Sequence, residues 1–132
     1  MEFNKEYYKN NKQDKDRIGL LFYKNLIKYY FKPNTILDYG CGTGFLLKRL
    51  SKIKTIQTNY GYEINEYAIN AAKKNSKSTI ISDLNFLKDQ SLDIIISLHV
   101  IEHLSDSQLE EVFKSFKRIL KKKWNYNFCN SG

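Results

Sequence analysis

At 132 residues and a formal net charge of +8, the chain has the length for one domain with a real core and not for two. It has no apolar run near the roughly 18 residues that a membrane span needs. There is no apolar signal core in Met1–Glu6, and its two cysteines, Cys41 and Cys129, make no disulfide framework. A cytoplasmic protein is expected. Lysine is spread along the chain and is abundant together with Asn, Ile and Tyr, as AT-rich coding DNA would make it. The charge is therefore weak ground for a nucleic-acid partner, and none is expected.

Residues 1–14 are polar and expected to fray. A first helix is read over about Asp16 to Tyr30, with Ile18, Leu21, Phe22, Leu26 and Tyr29 on one face, ended by Pro33. Strands are expected near 35–39, 57–62, 79–82 and 93–98. Behind the first comes a helix-like run with Phe45, Leu46, Leu47 and Leu50 on its apolar side. Behind the second, Asn65 caps a helix through Tyr67, Ala68, Ile69, Ala71 and Ala72. The strand at 93–98 is continuously apolar, as one covered on both faces should be. Ser107-x-x-Glu110 reads as a capping box for a last helix carrying Leu109, Val112, Phe113, Phe116, Ile119 and Leu120. A helix followed by alternating strands and helices gives an α/β chain with a parallel sheet.

The chemistry is concentrated in Asp38-Tyr39-Gly40-Cys41-Gly42-Thr43-Gly44, which follows the first apolar strand. Alternating glycines let the backbone turn sharply and let a ligand approach it closely. A dinucleotide fingerprint reads G-x-G-x-x-G and cradles a pyrophosphate. Here the order is D-x-G-x-G-x-G, and an acid at Asp38 would repel a pyrophosphate but suit a cation. The string resembles the class I S-adenosylmethionine-dependent methyltransferases, and further matches run in order from about Thr35 to Leu104.

The resemblance implies a Rossmann-like, doubly wound parallel sheet with S-adenosyl-L-methionine as cofactor. It places Gly40, Cys41, Gly42 and Gly44 against the amino-acid part of the cofactor. Asp38 would hold its ammonium. Glu63, after the second strand, would accept both ribose hydroxyls, with Ile64 beside it. Asp83 would accept the adenine amino group and Leu84 would line the ring. Ser97 and His99, at the end of the fourth strand, complete the cofactor-binding set. The run Val100-Ile101-Glu102-His103-Leu104 is similar to the branch that methylates small molecules such as quinone precursors and sugars, so a small-molecule methyl acceptor is expected. The Asn/Asp-Pro-Pro-aromatic motif of amino-methylating DNA enzymes is absent.

The same residues carry plainer readings. Asp38 suits a helix cap, Glu63 a solvated surface acid and Asp83 an ordinary turn opener. Cys41 suits a small buried filler. His99 and His103 stand four apart, a spacing that can bind a metal, but no further ligand cluster accompanies them and no metal is expected. Glu102 and His103 are read as structural. No catalytic base is identified. A nicotinamide-dependent oxidoreductase and a non-catalytic cofactor-binding module completed by a partner chain stand as alternative functions.

After Ile119-Leu120 the chain departs from the family, whose sheet has seven strands. The tail, residues 121–132, reads Lys-Lys-Lys-Trp-Asn-Tyr-Asn-Phe-Cys-Asn-Ser-Gly and patterns as neither strand nor helix. Read one base later with AT-rich codons, it becomes Lys-Lys-Asn-Gly-Ile-Ile-Ile-Phe, a turn and a buried strand. The expectation is a single domain over 1–132, frameshifted in an adenine tract and truncated after about four strands. Its fourth strand would be an exposed edge, open to self-association or to a partner chain. Turnover would then be low.

Overall fold

The computed structural model describes residues 4–10, 15–98 and 100–122. Four parallel strands, β1 (Thr35–Tyr39), β2 (Thr58–Tyr62), β3 (Thr79–Ile81) and β4 (Ile94–Ile96), lie in the order β3-β2-β1-β4. The helices are α1 (Lys5–Asn10), α2 (Gly19–Leu26), α3 (Phe45–Leu50), α4 (Glu66–Asn75) and α5 (Asp106–Ile119). The order reverses direction at β1, so the crevice beyond the carboxyl ends of β1 and β4 is the place where such sheets bind ligands. Among the described residues, no helix is long and apolar enough to cross a membrane.

β1 is central and its side chains alternate between two cores. Ile36 packs with Leu20, Ile27, Leu46, Leu50 and Ile53, which brings α2 and α3 onto one face. Leu37 packs with Ile81, Leu87, Leu92 and Ile119, which brings α5 onto the other. The strand edges are shorter than the apolar runs. β4 stops at Ile96 because its last partner on β1 is Asp38, beyond which β1 turns into the glycine loop.

Three boundaries differ from the sequence reading. Residues 5–10, expected to fray, form α1: Asn4 Oδ1 accepts from Tyr7 N at 3.0 Å, and Tyr8 is buried against Tyr67 with ring centroids 5.7 Å apart. The first long helix starts at Gly19 rather than Asp16 and widens to a π-turn over Ile27–Phe31. Lys32, at φ 50°, donates to Ile27 O at 2.8 Å and ends it before Pro33. The capping box belongs to Ser105 and Gln108, not to Ser107 and Glu110. Gln108 N donates to Ser105 Oγ at 3.3 Å and Ser105 N to Gln108 Oε1 at 2.9 Å. Ser105→Ala is expected to cost about 1 kcal/mol in urea unfolding and Ser107→Ala close to nothing; the reverse order would restore the original box.

Asp93 fastens the amino end of β4. Its Oδ2 accepts from Asn34 N at 2.7 Å and Thr35 N at 3.1 Å, and its Oδ1 from Lys121 Nζ at 3.0 Å. Burial works against its charge, but Lys121 and those backbone donors hold the carboxyl below its ordinary range. The chain leaving α5 comes alongside β4: Leu92 N donates to Ile119 O, and Lys121 N donates to Leu92 O at 2.9 Å, a single parallel bridge. β4 is thus paired by β1, and the residue pair just ahead of it makes this one rung with the chain leaving α5. Residues 123–132 of the tail, with Cys129, lie outside the described residues.

Candidate cofactor-binding site

The glycine loop is lashed to the second strand. Gly40 N and Cys41 N both donate to Tyr62 O, at 2.8 and 3.0 Å. Gly40, Gly42 and Gly44 have φ of 77°, 56° and 86°. A side chain at Gly40 would drive into Val100, so that glycine keeps the loop closed against the segment after β4.

Two carboxylates anchor the site. Asp38 is 3% exposed, at the end of β1. Burial, and then the nearby charge of Glu63, push its carboxyl up to about 7. Glu63, just past β2, binds three backbone donors. Its Oε2 accepts from Gly42 N at 3.0 Å, and its Oε1 from Ile64 N at 3.0 Å and Asn65 N at 3.1 Å. Glu63 is therefore no idle surface acid: it ties the loop after β1 to the turn after β2.

An open cleft lies over this loop, lined by Lys15, Arg17, Leu20, Asp38, Gly40, Cys41, Gly42, Thr43, Phe45, Leu46 and Leu98. Cys41 is a buried free thiol, pushed up by burial and then by the charges of Asp38 and Glu63, so it stays protonated. Ser97 Oγ, one residue before Leu98, is buried with no hydrogen-bond partner. Among the described residues, no three His, Cys, Asp or Glu side chains gather as metal ligands.

These residues fit an aminoacyl nucleoside better than a pyrophosphate. The floor of the cleft is a buried acid, the loop leaves no room for side chains at Gly40, and a second acceptor-only group stands at the end of β2. Residues 37–123 match the methyltransferase domain family. The chain belongs to this family.

An uncharacterized methyltransferase of Anoxybacillus flavithermus is 32% identical over 93 residues, which is 67% of this chain and 43% of that protein. The human probable tRNA methyltransferase 9B is 34% identical over 92 residues, 67% of this chain and 20% of that protein. This methyltransferase domain thus spans less than half the length of these curated relatives. An S-adenosylmethionine-dependent methyltransferase from Archaeoglobus fulgidus superposes with a TM-score of 0.65 at 29% identity, over 86% of this chain and 54% of that one. The plantazolicin methyltransferase BpumL, solved with S-adenosylhomocysteine, gives 0.72 at 21% identity over 90% and 51%. The last likeness speaks for the fold.

Of the residues singled out in the sequence, Asp38, Gly40, Cys41 and Gly42 line the cleft, and Glu63 reaches it through Gly42. Gly44 opens α3 just behind the loop. Asp83, Leu84, Ile64 and Ser97 do not line it. Asp83 is exposed, and its Oδ1 accepts from Asn85 N at 2.9 Å, the turn-opening role of its plainer reading. Leu84 packs partly into the core beneath the sheet, and Ile64 is 71% exposed. His99 lies outside the described residues. Sequence reasoning missed Lys15 and Arg17, which fall at the border of a stretch expected to fray, and Val100, whose approach to Gly40 no local pattern announces.

Proposed function

We propose that this chain binds S-adenosyl-L-methionine in the cleft over the glycine loop and serves methyl transfer to a small-molecule acceptor. The observation that carries the reading is the buried Asp38 carboxylate beneath a glycine loop whose Gly42 amide is held by Glu63. Asp38 offers its charge to an ammonium group. Glu63 offers acceptor oxygens to a vicinal diol. In this reading Asp83 accepts from the adenine amino group, Leu84 lines the ring and Ile64 lies beside the ribose, while Ser97 brings an unpaired hydroxyl to the end of β4. When bound, S-adenosylmethionine supplies an activated methyl group. The contribution of the protein is to hold it in line with the acceptor, and such alignment can be the largest part of the rate.

Glu63→Ala removes the acceptor of three loop amides together with the ribose anchor. It is expected to raise the Kd for S-adenosylhomocysteine at least about 30-fold by calorimetry. A change below threefold would take Glu63 out of the cofactor site.

A second reading takes RNA as the acceptor. Lys28, Lys32, Lys52 and Lys54 surround a groove with Tyr29, and a lysine-aromatic surface suits a polyanion. That groove, however, sits by Asn34 and Thr55, at the amino ends of β1 and β2, whereas the glycine loop is at the carboxyl end. Incubation of a cell extract with the chain and methyl-labelled S-adenosylmethionine separates the readings. Label in the low-mass fraction supports the small-molecule acceptor, and label in the RNA fraction supports the second. Cofactor binding without label in any fraction points to a binding module completed by another chain.

A further inference from the structure

The groove at the amino ends of β1 and β2 gathers positive charge from two separate segments. Its volume is about 440 Å³, and its lining includes Lys28, Tyr29, Lys32, Lys52, Ile53 and Lys54. Lys28 lies in the π-turn Ile27–Phe31 and Lys32 is its cap. Lys32 has a left-handed backbone, φ 50°, where glycine or asparagine is the usual choice at a helix end. In the second segment Ile53 is 2% exposed and packs with Leu20, Ile27 and Leu50, while Lys52 and Lys54 on either side of it are exposed. Between Asp16 and Glu63 the sequence has one acid, Asp38, and it is buried at the carboxyl end of β1. Asp93, which accepts from the Asn34 amide, is already met by Lys121 Nζ at 3.0 Å. Among the described residues none of the four lysines has an ion-pair partner. Lys28 and Lys32 could answer the dipole of their own helix end, but that role gives no reason for Lys52 and Lys54 to line the same groove.

We propose that this groove binds a nucleoside triphosphate through its phosphates, at a site separate from the cofactor cleft. The volume is that of a small-ligand site. The cations are lysines, compact point charges that meet a phosphate from any direction, rather than the planar fork of arginine that matches a carboxylate. Three phosphates carry about four negative charges at neutral pH, the count of the lysines. Tyr29 is 65% exposed with Lys28 Nζ 4.9 Å from its ring centroid, so an aromatic surface for stacking a base stands beside the charge. A dinucleotide matches poorly, because its bridging phosphates carry only about two charges and no terminal group. β1 has five residues, so at about 3.3 Å each the groove and the glycine loop are on the order of 15 Å apart. A triphosphate held here is out of reach of the cleft and is no methyl acceptor, and the proposal does not rest on the cofactor reading.

Calorimetry on the 132-residue chain at low salt, with ATP and inorganic tripolyphosphate as probes, tests the site. Both are expected to bind at one site, more weakly as salt is added, and saturating S-adenosylhomocysteine should leave both Kd values within about twofold. Displacement by S-adenosylhomocysteine would place the phosphates in the cleft and overturn the proposal. The paired exchange Lys52→Gln with Lys54→Gln should raise both Kd values about tenfold or more, while Lys73→Gln with Lys74→Gln on α4, the same loss of charge elsewhere, should change them less than about twofold. Equal loss in the two pairs would mean attraction by overall charge only, and would overturn the site. Tyr29→Leu should weaken ATP about threefold and leave tripolyphosphate unmoved; equal effects on the two probes would remove the nucleoside from the assignment. A single-stranded RNA oligomer that binds more tightly than ATP at the same salt, and loses affinity with Lys52→Gln and Lys54→Gln, would overturn the small ligand in favour of RNA. A folded chain that binds neither probe overturns the proposal and leaves the cofactor reading untouched.

Discussion

Gly44→Ala is expected to destabilise the fold by about 3 kcal/mol or more, the largest effect of any single methyl in the loop. Gly44 precedes α3 with φ at 86°, a left-handed conformation that costs an alanine on the order of 1–2 kcal/mol. The added Cβ would stand 2.8 Å from Ala72 Cα and 3.2 Å from Ala72 O. Those atoms are backbone of α4 at a position with no exposure, so no rotamer change can yield space. Ala72→Gly would not rescue the variant, because the backbone of α4 would still stand in the way of the new methyl. Gly19→Ala is the control: an added Cβ there meets nothing within 4 Å, and the site opens α2. Its stability should equal or exceed that of the parent. Urea unfolding followed by far-ultraviolet circular dichroism reads both. A Gly44→Ala loss below 1 kcal/mol would mean that α3 and α4 do not meet as closely as described.

Asp38→Asn is expected to move stability and binding in opposite directions. The folded carboxyl is pushed to about 7 by burial and by Glu63, against an ordinary value of 3.8. Between those values the folded chain keeps a proton that the unfolded chain releases. Stability from this group is therefore present at pH 4 and lost as pH rises to 7, by on the order of 4 kcal/mol as an upper bound. Asparagine abolishes that slope and should raise the melting temperature at pH 8, where the native aspartate is charged and buried. The same substitution should weaken S-adenosylhomocysteine at least about 30-fold at pH 8, since an ammonium loses its counter-charge. For the parent chain, affinity should fall by up to about tenfold per pH unit below 7, as Asp38 must shed its proton to pair. Glu63, Cys41, Lys15 and Arg17 share this cleft region, so the slope is read as the difference between parent and Asp38→Asn. A variant that is less stable at pH 8 and binds normally would remove Asp38 from the site.

Where local sequence carries the physics, the reading and the structure coincide. Ile36 and Leu37 alternate into opposite cores, and the glycines that follow take positive φ, so the strand, the turn and the direction of the crevice were legible from nine residues. The Asn65 cap was legible for the same reason: its side chain accepts from Ala68 N, three residues on. What escaped depends on neighbours distant in sequence. Tyr8 looked like part of a polar tail until Tyr67 covered it. Lys15 and Arg17 line the cleft in a segment tied by Asp16 to Arg49, 33 positions away. Ser105-x-x-Gln108 and Ser107-x-x-Glu110 both carry the capping-box pattern, and the box forms at Ser105.

The most direct test of the account is calorimetric titration of the purified 132-residue chain at pH 8 with S-adenosylhomocysteine and, separately, with a nicotinamide dinucleotide. The account predicts saturable one-to-one binding of S-adenosylhomocysteine and none of the dinucleotide. A folded chain that ignores S-adenosylhomocysteine, or that prefers the dinucleotide, would contradict it.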